Sequence, residues 1–287
     1  MYLSMVQLKY TTYTKTTTII QGGFTMVKVI TVNNYKGGVG KSTTTELISY
    51  ILSTKYNYKV LAVDLDPQGD LSRKLKNTFN KSDVLPETSL LTAITEMNIK
   101  QARVQLHPNL DIIHGTHDMK YFEKFIYRTQ PERAEFYYFK DLFPQIINEY
   151  DFVIFDTTPK EGVSLQNAVC ISDYMIITTD TTESSMVNSK YVYDYIGSLT
   201  EHNPNIRLIG VLLYFVNVKG STSIQVKAEY DDIFKEDMYT NFIKRSDRVE
   251  RWDKFGIKEA DFHDNNTMQM YLNITDETIE RMKELEG

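Results

Sequence analysis

The sequence predicts an α/β fold, a doubly wound, mainly parallel sheet with helices on both faces, and three observations carry that prediction. Short apolar runs rich in Val, Ile, Leu and Phe recur at 27–32, 59–64, 150–156, 174–179 and 207–215. Near-continuous apolar strands of this kind are buried on both sides, as in a parallel sheet held between helices. Helical spacing appears between the runs, so strand and helix alternate. A glycine-rich turn joins the first run to the first helix, at the carboxyl edge where such sheets bind ligands.

The chain has 287 residues, a length suited to one large domain, which we assign to 26–287. Residues 1–25 form an N-terminal extension in which Lys9 and Lys15 are the only charges, separated from the domain by a Gln21-Gly22-Gly23 break. The extension is expected to be poorly ordered or, from the strand-like composition of 10–20, to pair with a neighbouring subunit as an arm. The net charge of -6 gives no bulk sign of nucleic-acid binding, so any DNA contact must come from a local patch. Cys170 is the single cysteine, which excludes an intrachain disulfide and a cysteine-held cluster and fits a reducing cytoplasm. No apolar stretch reaches the length of a membrane-spanning helix, and the N-terminus lacks the apolar core of a signal peptide.

Taken in order, the first strand precedes a helix whose spacing is clear from Glu46-Leu47-Ile48. The second strand ends at Asp64, where Pro67 and Gly69 force a loop. Short helices are expected at 71–75 and 89–97 and a strand at 110–115. Phe136, Phe139, Phe143 and Ile147 recur at helical spacing, with Pro144 set to split that helix. The strand at 150–156 ends in Asp156. After the strand at 174–179, a helix is expected from about Thr182, with Val187, Tyr191, Tyr195 and Leu199 on its core face.

The chemistry concentrates at 36–43. Gly37, Gly38 and Gly40 let backbone N–H groups converge on phosphate oxygens, and the following helix points the positive end of its dipole at the same place. Val39 and Thr43 complete the cradle, Lys41 reaches the outer phosphates, and the Ser42 hydroxyl is positioned to ligate Mg²⁺. A strict Walker A loop would have glycine where this chain has Tyr35, and Lys36 adds a second lysine at the loop's start. Phosphoryl transfer also needs a held metal and a positioned water. Asp156 and Asp64, at the ends of buried strands, are the candidate metal-shell carboxylates. Asp64 and Asp66 can diverge in their loop, one toward the metal and one toward the water.

Lys36-Gly37-Gly38-Val39-Gly40-Lys41-Ser42 matches K-G-G-x-G-K-[ST], and on it the chain resembles the deviant Walker A P-loop ATPases of the ParA/MinD family. Val63 to Gln68 matches that family's switch I pattern V-D-x-D-P-Q. The resemblance implies ATP and Mg²⁺ as cofactors, slow ATP hydrolysis, and catalytic roles for Lys36, Lys41 and Asp66. It further implies that Lys36 crosses a two-fold interface to a partner subunit's ATP, so that the active form is a nucleotide-sandwich homodimer. Two departures stand out: Asp70 where the family commonly has asparagine, adding negative charge near the phosphates, and Thr157-Thr158-Pro159 where switch II often reads D-x-P-P.

The most basic window, 244–258, holds six basic and three acidic residues. Arg245, Arg248 and Arg251 recur every three residues and could form one helical stripe suited to phosphates, though the interleaved acids, read alone, favour a salt-bridged surface helix. The resemblance favours DNA, with Lys244, Arg245, Arg248 and Arg251 as the contact residues and Arg245 foremost. Residues 276–287 hold five acids and two bases, a tail that anionic lipid would repel, so no membrane partner is expected. The implied function is a small ParA-type DNA-partitioning ATPase of the cytoplasm and nucleoid, which binds DNA nonspecifically as a dimer and is released when a ParB-like adaptor stimulates hydrolysis. Two readings from other classes stay open: a MinD-type positioning ATPase on a membrane or scaffold, and a metabolic P-loop ligase or kinase in which Lys36 would contact substrate within one chain.

Overall fold

A computed structural model of the chain describes residues 26–217 and 221–287, so the expectations for 1–25 lie outside the described residues. The strands are β1 (Lys28–Asn33), β2 (Val60–Asp64), β3 (Arg103–His107), β4 (Leu110–Ile113), β5 (Phe152–Asp156), β6 (Tyr174–Thr179) and β7 (Arg207–Leu213). They form one sheet in the order β3-β4-β2-β5-β1-β6-β7, parallel except that β3 runs antiparallel to β4 at the edge. Every residue of β1, β2, β5 and β6 is buried, as their unbroken apolar composition requires.

The helices are α1 (Lys41–Thr54), α2 (Asp70–Thr78), α3 (Leu90–Thr95), α4 (Phe122–Thr129), α5 (Ala134–Leu142), α6 (Val163–Ile171), α7 (Glu183–Leu199), α8 (Ser221–Phe234), α9 (Asp247–Phe255) and α10 (Phe262–Glu286). One sheet face is covered by α1, α2, α9 and α10, whose Leu47, Ile51, Leu75, Trp252, Tyr271 and Met282 pack with Ile30, Ile154 and Ile176. The other face carries α3 to α8, packed in two clusters on Val153, Phe155, Met175 and Leu213. Burying one large apolar side chain contributes about 1.5–3 kcal/mol, so these two layers supply most of the drive to fold.

Several expectations change in detail. The helix α1 begins at Lys41, earlier than the apolar spacing suggested, because Thr44 N–H already bonds to Gly40 O at 2.8 Å. The helix around Phe139 ends at Leu142 and tightens to a 3₁₀ turn over Phe143–Gln145, the split that Pro144 predicts. The core face of α7 is corrected in its first half, where Val187 and Tyr191 are 46% and 62% exposed while Met186, Ser189, Val192 and Ile196 face inward; in the second half Leu199 is buried as expected and Tyr195 packs half-buried on the core. The reason lies in its serines. Ser185 and Ser189 are buried and complete a polar network with Lys36, Asn34 and Thr179, so the inward face at the start of the helix is partly polar and hydrophobicity alone does not select it.

The tail expected to repel lipid is the end of the 25-residue α10, with Ile279 and Met282 buried against the sheet. Its last turn is fixed at the amino edge: Glu286 pairs with Lys28 and accepts from Tyr174 Oη at 2.6 Å, while Arg207 donates to Leu285 O. No helix among the described residues is long and apolar enough to cross a membrane.

Candidate nucleotide site

The loop between β1 and α1 carries the site. Gly38 and Gly40 have φ of 78° and 87°, the left-handed region where a side chain adds strain. A Cβ on Gly40 would also lie 2.5 Å from the ring of Tyr214, which packs beneath the loop. By contrast a Cβ on Gly37 or Gly38 would meet nothing within 4 Å, so the loop opens outward at those residues. No side chain caps α1, leaving its first N–H groups to the opening. Lys41 folds back over the loop, its Nζ donating to Lys36 O at 2.9 Å. Burial lowers the pKa of its ammonium, against the opposing pull of Asp156 and Asp66.

Behind the loop, β2 and β5 set Asp64 and Asp156 side by side in register, both wholly buried. Their situations differ. Asp64 accepts from the Ser72 hydroxyl at 2.7 Å, from Ser72 N–H at 2.9 Å and from Asp66 N–H at 3.2 Å, so its oxygens already hold the start of α2. Neither oxygen of Asp156 has a hydrogen-bond partner. Burial and then the Asp64 charge push the Asp156 carboxyl well above its usual range, with Ser42 and Lys41 near enough to offset part of this. A buried carboxylate so exposed to repulsion is a site waiting for positive charge.

A carboxylate and a neighbouring hydroxyl suit a hard oxygen-seeking ion such as Mg²⁺, which takes few protein ligands and completes its shell with phosphate and water. No group of three or more His, Cys, Asp or Glu side chains that could hold a metal ion occurs among the described residues. The residues present therefore fit the phosphates and the ion.

Asp66 is half-buried at the loop's mouth, its carboxylate accepting from Gln68 N–H at 2.9 Å. Asp70 sits in the first turn of α2 and pairs with Arg73 at 3.1 Å, so its charge is spent on the helix and on that arginine. Thr157, directly after Asp156, bridges β5 to β1 by accepting from Asn33 Nδ2 at 2.6 Å and donating to Val32 O at 2.9 Å.

Lys36 turns toward its own chain. Its Nζ donates to Asp180 Oδ2 at 3.0 Å, Thr182 Oγ1 at 2.6 Å and Ser185 Oγ at 2.8 Å, at the N-terminus of α7. Burial works to raise the Asp180 carboxyl, but bonds from Ser185, Thr182 and Lys36 outweigh it and hold the group below its ordinary value. The Asp180-Thr182-Ser185 cradle was missed in the sequence because hydroxyls and one acid near a helix start look like ordinary capping. Tyr214 was missed for a like reason, reading as the end of an apolar strand.

The basic window does not form one helical stripe. Ser246 caps α9, so Arg245 precedes the helix, and Arg248 is drawn into ion pairs with Asp261 and Asp264 at 3.0 and 3.4 Å. Arg251 is exposed on α9. Lys244 and Arg245 instead line an open groove of about 700 Å³ against the α10 residues His263, Asn266, Gln269 and Asn273. The groove includes no residue of the nucleotide loop, though α10, which lines it, packs on α1 and bonds Tyr214 through Tyr271 Oη at 3.3 Å.

Comparison with known proteins gives the same assignment. A family model described as an AAA domain matches residues 27–208. The chromosome partitioning protein ParA of Myxococcus xanthus is 25% identical over 241 residues, covering 82% of each chain. Cobyrinic acid a,c-diamide synthase from Mycobacterium smegmatis, solved with bound ADP and magnesium, superposes with a TM-score of 0.74 at 22% identity over 90% of this chain and 96% of that one. A putative plasmid partition protein from Borrelia burgdorferi bound to AMPPNP gives 0.72 at 22% identity over 89% and 99%. These two likenesses carry the fold alone. With the glycine loop, its two lysines and Asp156 inside the matched segment, the chain belongs to the AAA-domain family, and within it to the ParA-type partitioning ATPases.

Proposed function

We propose that this ATPase segregates DNA: it dimerises around ATP, binds DNA without sequence preference, and is released when an adaptor protein stimulates hydrolysis. The observation that carries the reading is the Lys244–Arg245 groove. In a chain of net charge -6, these two exposed cations have no ion-pair partner among the described residues and face a row of amide side chains. Cations left unpaired beside neutral hydrogen-bonding groups fit a phosphate backbone. Arg251 is exposed on α9 outside the groove lining, while Arg248 serves mainly to hold α9 to α10.

At the nucleotide, Gly37 to Thr43 hold the phosphates through backbone N–H groups and the Thr43 hydroxyl, and Lys41 neutralises the outer charge. Ser42 and Asp156 would hold Mg²⁺, which when bound would supply neutralisation of phosphate charge. Asp64 fixes the switch loop through Ser72 and keeps Asp66 aimed outward, where Asp66 orients the attacking water. Lys36 must leave its Asp180 cradle to reach a second nucleotide, so dimer formation competes with three hydrogen bonds inside one chain. That competition keeps the nucleotide-free chain monomeric.

The test is DNA binding across a salt series, with ATP, with ADP and with Arg245→Ala. Binding that requires ATP, falls steeply with salt and weakens on the Arg245 change supports the proposal. Binding indifferent to nucleotide, or none at all, overturns it.

A further inference from the structure

A buried lysine outside the glycine loop links that loop to α9. Lys74, on α2, is 8% exposed, and its Nζ donates to Thr43 Oγ1 at 2.7 Å and pairs with Asp253 Oδ1 at 2.9 Å. Thr43 lies in the first turn of α1 beside the phosphate opening, and Asp253 lies on α9 next to Trp252. One ammonium therefore touches an element of the nucleotide site with one bond and α9 with another.

The surroundings make this a rigid link. Burial works against the charge of Lys74, yet Glu46 and Asp253 more than compensate and hold its pKa above the ordinary value, so it stays an ammonium. The end of α9 is pressed on α2: a Cβ on Gly256 would lie 2.6 Å from Thr78 Cα, and Ile257 N–H donates to Thr78 Oγ1 at 3.0 Å. Two helices in backbone contact shift together more readily than they deform. Arg73 also holds Asp253, at 3.1 Å, but from the exposed side and with no bond to α1.

We propose that Lys74 is a positioning residue that transmits occupancy of the nucleotide site to α9. It orients the Thr43 hydroxyl toward the phosphates; when a phosphate oxygen draws that hydroxyl, the ammonium shifts, and Asp253 carries the shift into α9. The inference rests on the nucleotide site proposed above and is independent of whether DNA binds.

The protein carries its own reporter. Trp252 is the single tryptophan, 2% exposed, with its indole N–H buried and unpartnered, so its emission responds to small movements of α9. The experiment follows Trp252 emission of the full chain as Mg²⁺ with ATP or ADP is added, while equilibrium dialysis measures binding separately. The wild-type emission changes as the site fills. Asp253→Ala keeps nucleotide affinity within about threefold and loses the emission change; Lys74→Met loses the change and binds about tenfold more weakly, the effect of removing a charged hydrogen bond. Arg73→Ala removes the other partner of Asp253 and keeps the change, which a merely structural α2–α9 contact would not distinguish. Should Lys74→Met fail to fold, Asp253→Ala decides alone. A full emission change in Asp253→Ala, or a wild-type Trp252 silent at saturation, overturns the proposal. Absence of nucleotide binding to the wild type in dialysis takes down the site itself.

Discussion

Asp156 shows how one residue trades stability for chemistry. Its oxygens are buried, unpartnered and beside Asp64, which costs the nucleotide-free protein folding free energy. Asp156→Asn removes that cost and is expected to raise the Tm of the nucleotide-free protein by roughly 2 °C, on the order of 1 kcal/mol. The same change should abolish the added stabilisation that Mg²⁺ with ATP gives the wild type, measured by thermal unfolding with and without both. An unchanged Mg²⁺ effect would remove Asp156 from the metal shell. Asp156 could be read from the sequence because it ends an apolar strand. Its difference from Asp64 could not, since that depends on Ser72 reaching back from the next helix.

At the level of elements, sequence pattern located the parallel strands well and helix faces less well. Strands β1, β2, β5 and β6 are buried on both sides, so their apolar runs are unbroken and easily seen. The antiparallel edge strand β3 went unforeseen because Arg103, Gln105 and His107 keep it polar along one side. In α7 the face was misread because two of its inward residues are serines. The corrected face is testable: Tyr191→Ser should leave Tm within about a degree, as expected of an exposed site, whereas Val192→Ser should cost about 3 kcal/mol through lost burial and an unsatisfied hydroxyl. Equal effects from the two substitutions would restore the first reading. The Arg245-Arg248-Arg251 spacing misled in the opposite sense, since a capping Ser246 interrupts a repeat that looks helical throughout.

For the whole molecule, three buried carboxyls set the response to pH. Burial pushes Glu46 up to about 7, with Lys74 opposing, and raises Asp64 and Asp156 in the same direction. A carboxyl whose folded pKa lies above its unfolded value stabilises the fold below the unfolded pKa and loses that stabilisation as pH rises through the folded one. Stability of the nucleotide-free protein should therefore decline between roughly pH 4.5 and 7, the window set by Glu46. Glu46→Gln should flatten the decline by up to about 3 kcal/mol, the remaining slope coming from the two aspartates. Thermal unfolding over that range checks it, and an identical slope in Glu46→Gln would show that Glu46 is already ionised when folded.

The anchoring of α10 has a practical consequence for observing the molecule at work. Because Glu286 is tied to Lys28 at the start of β1, the last residue and Met26 both leave from the amino edge of the sheet, while the glycine loop opens at the carboxyl edge. A surface linker or fluorophore attached after Gly287 thus stands a full strand length from the nucleotide, about 17–20 Å for strands of this size. Immobilised through that end, the chain keeps its glycine loop, Asp66 and Lys36 facing solution, free for added nucleotide to reach.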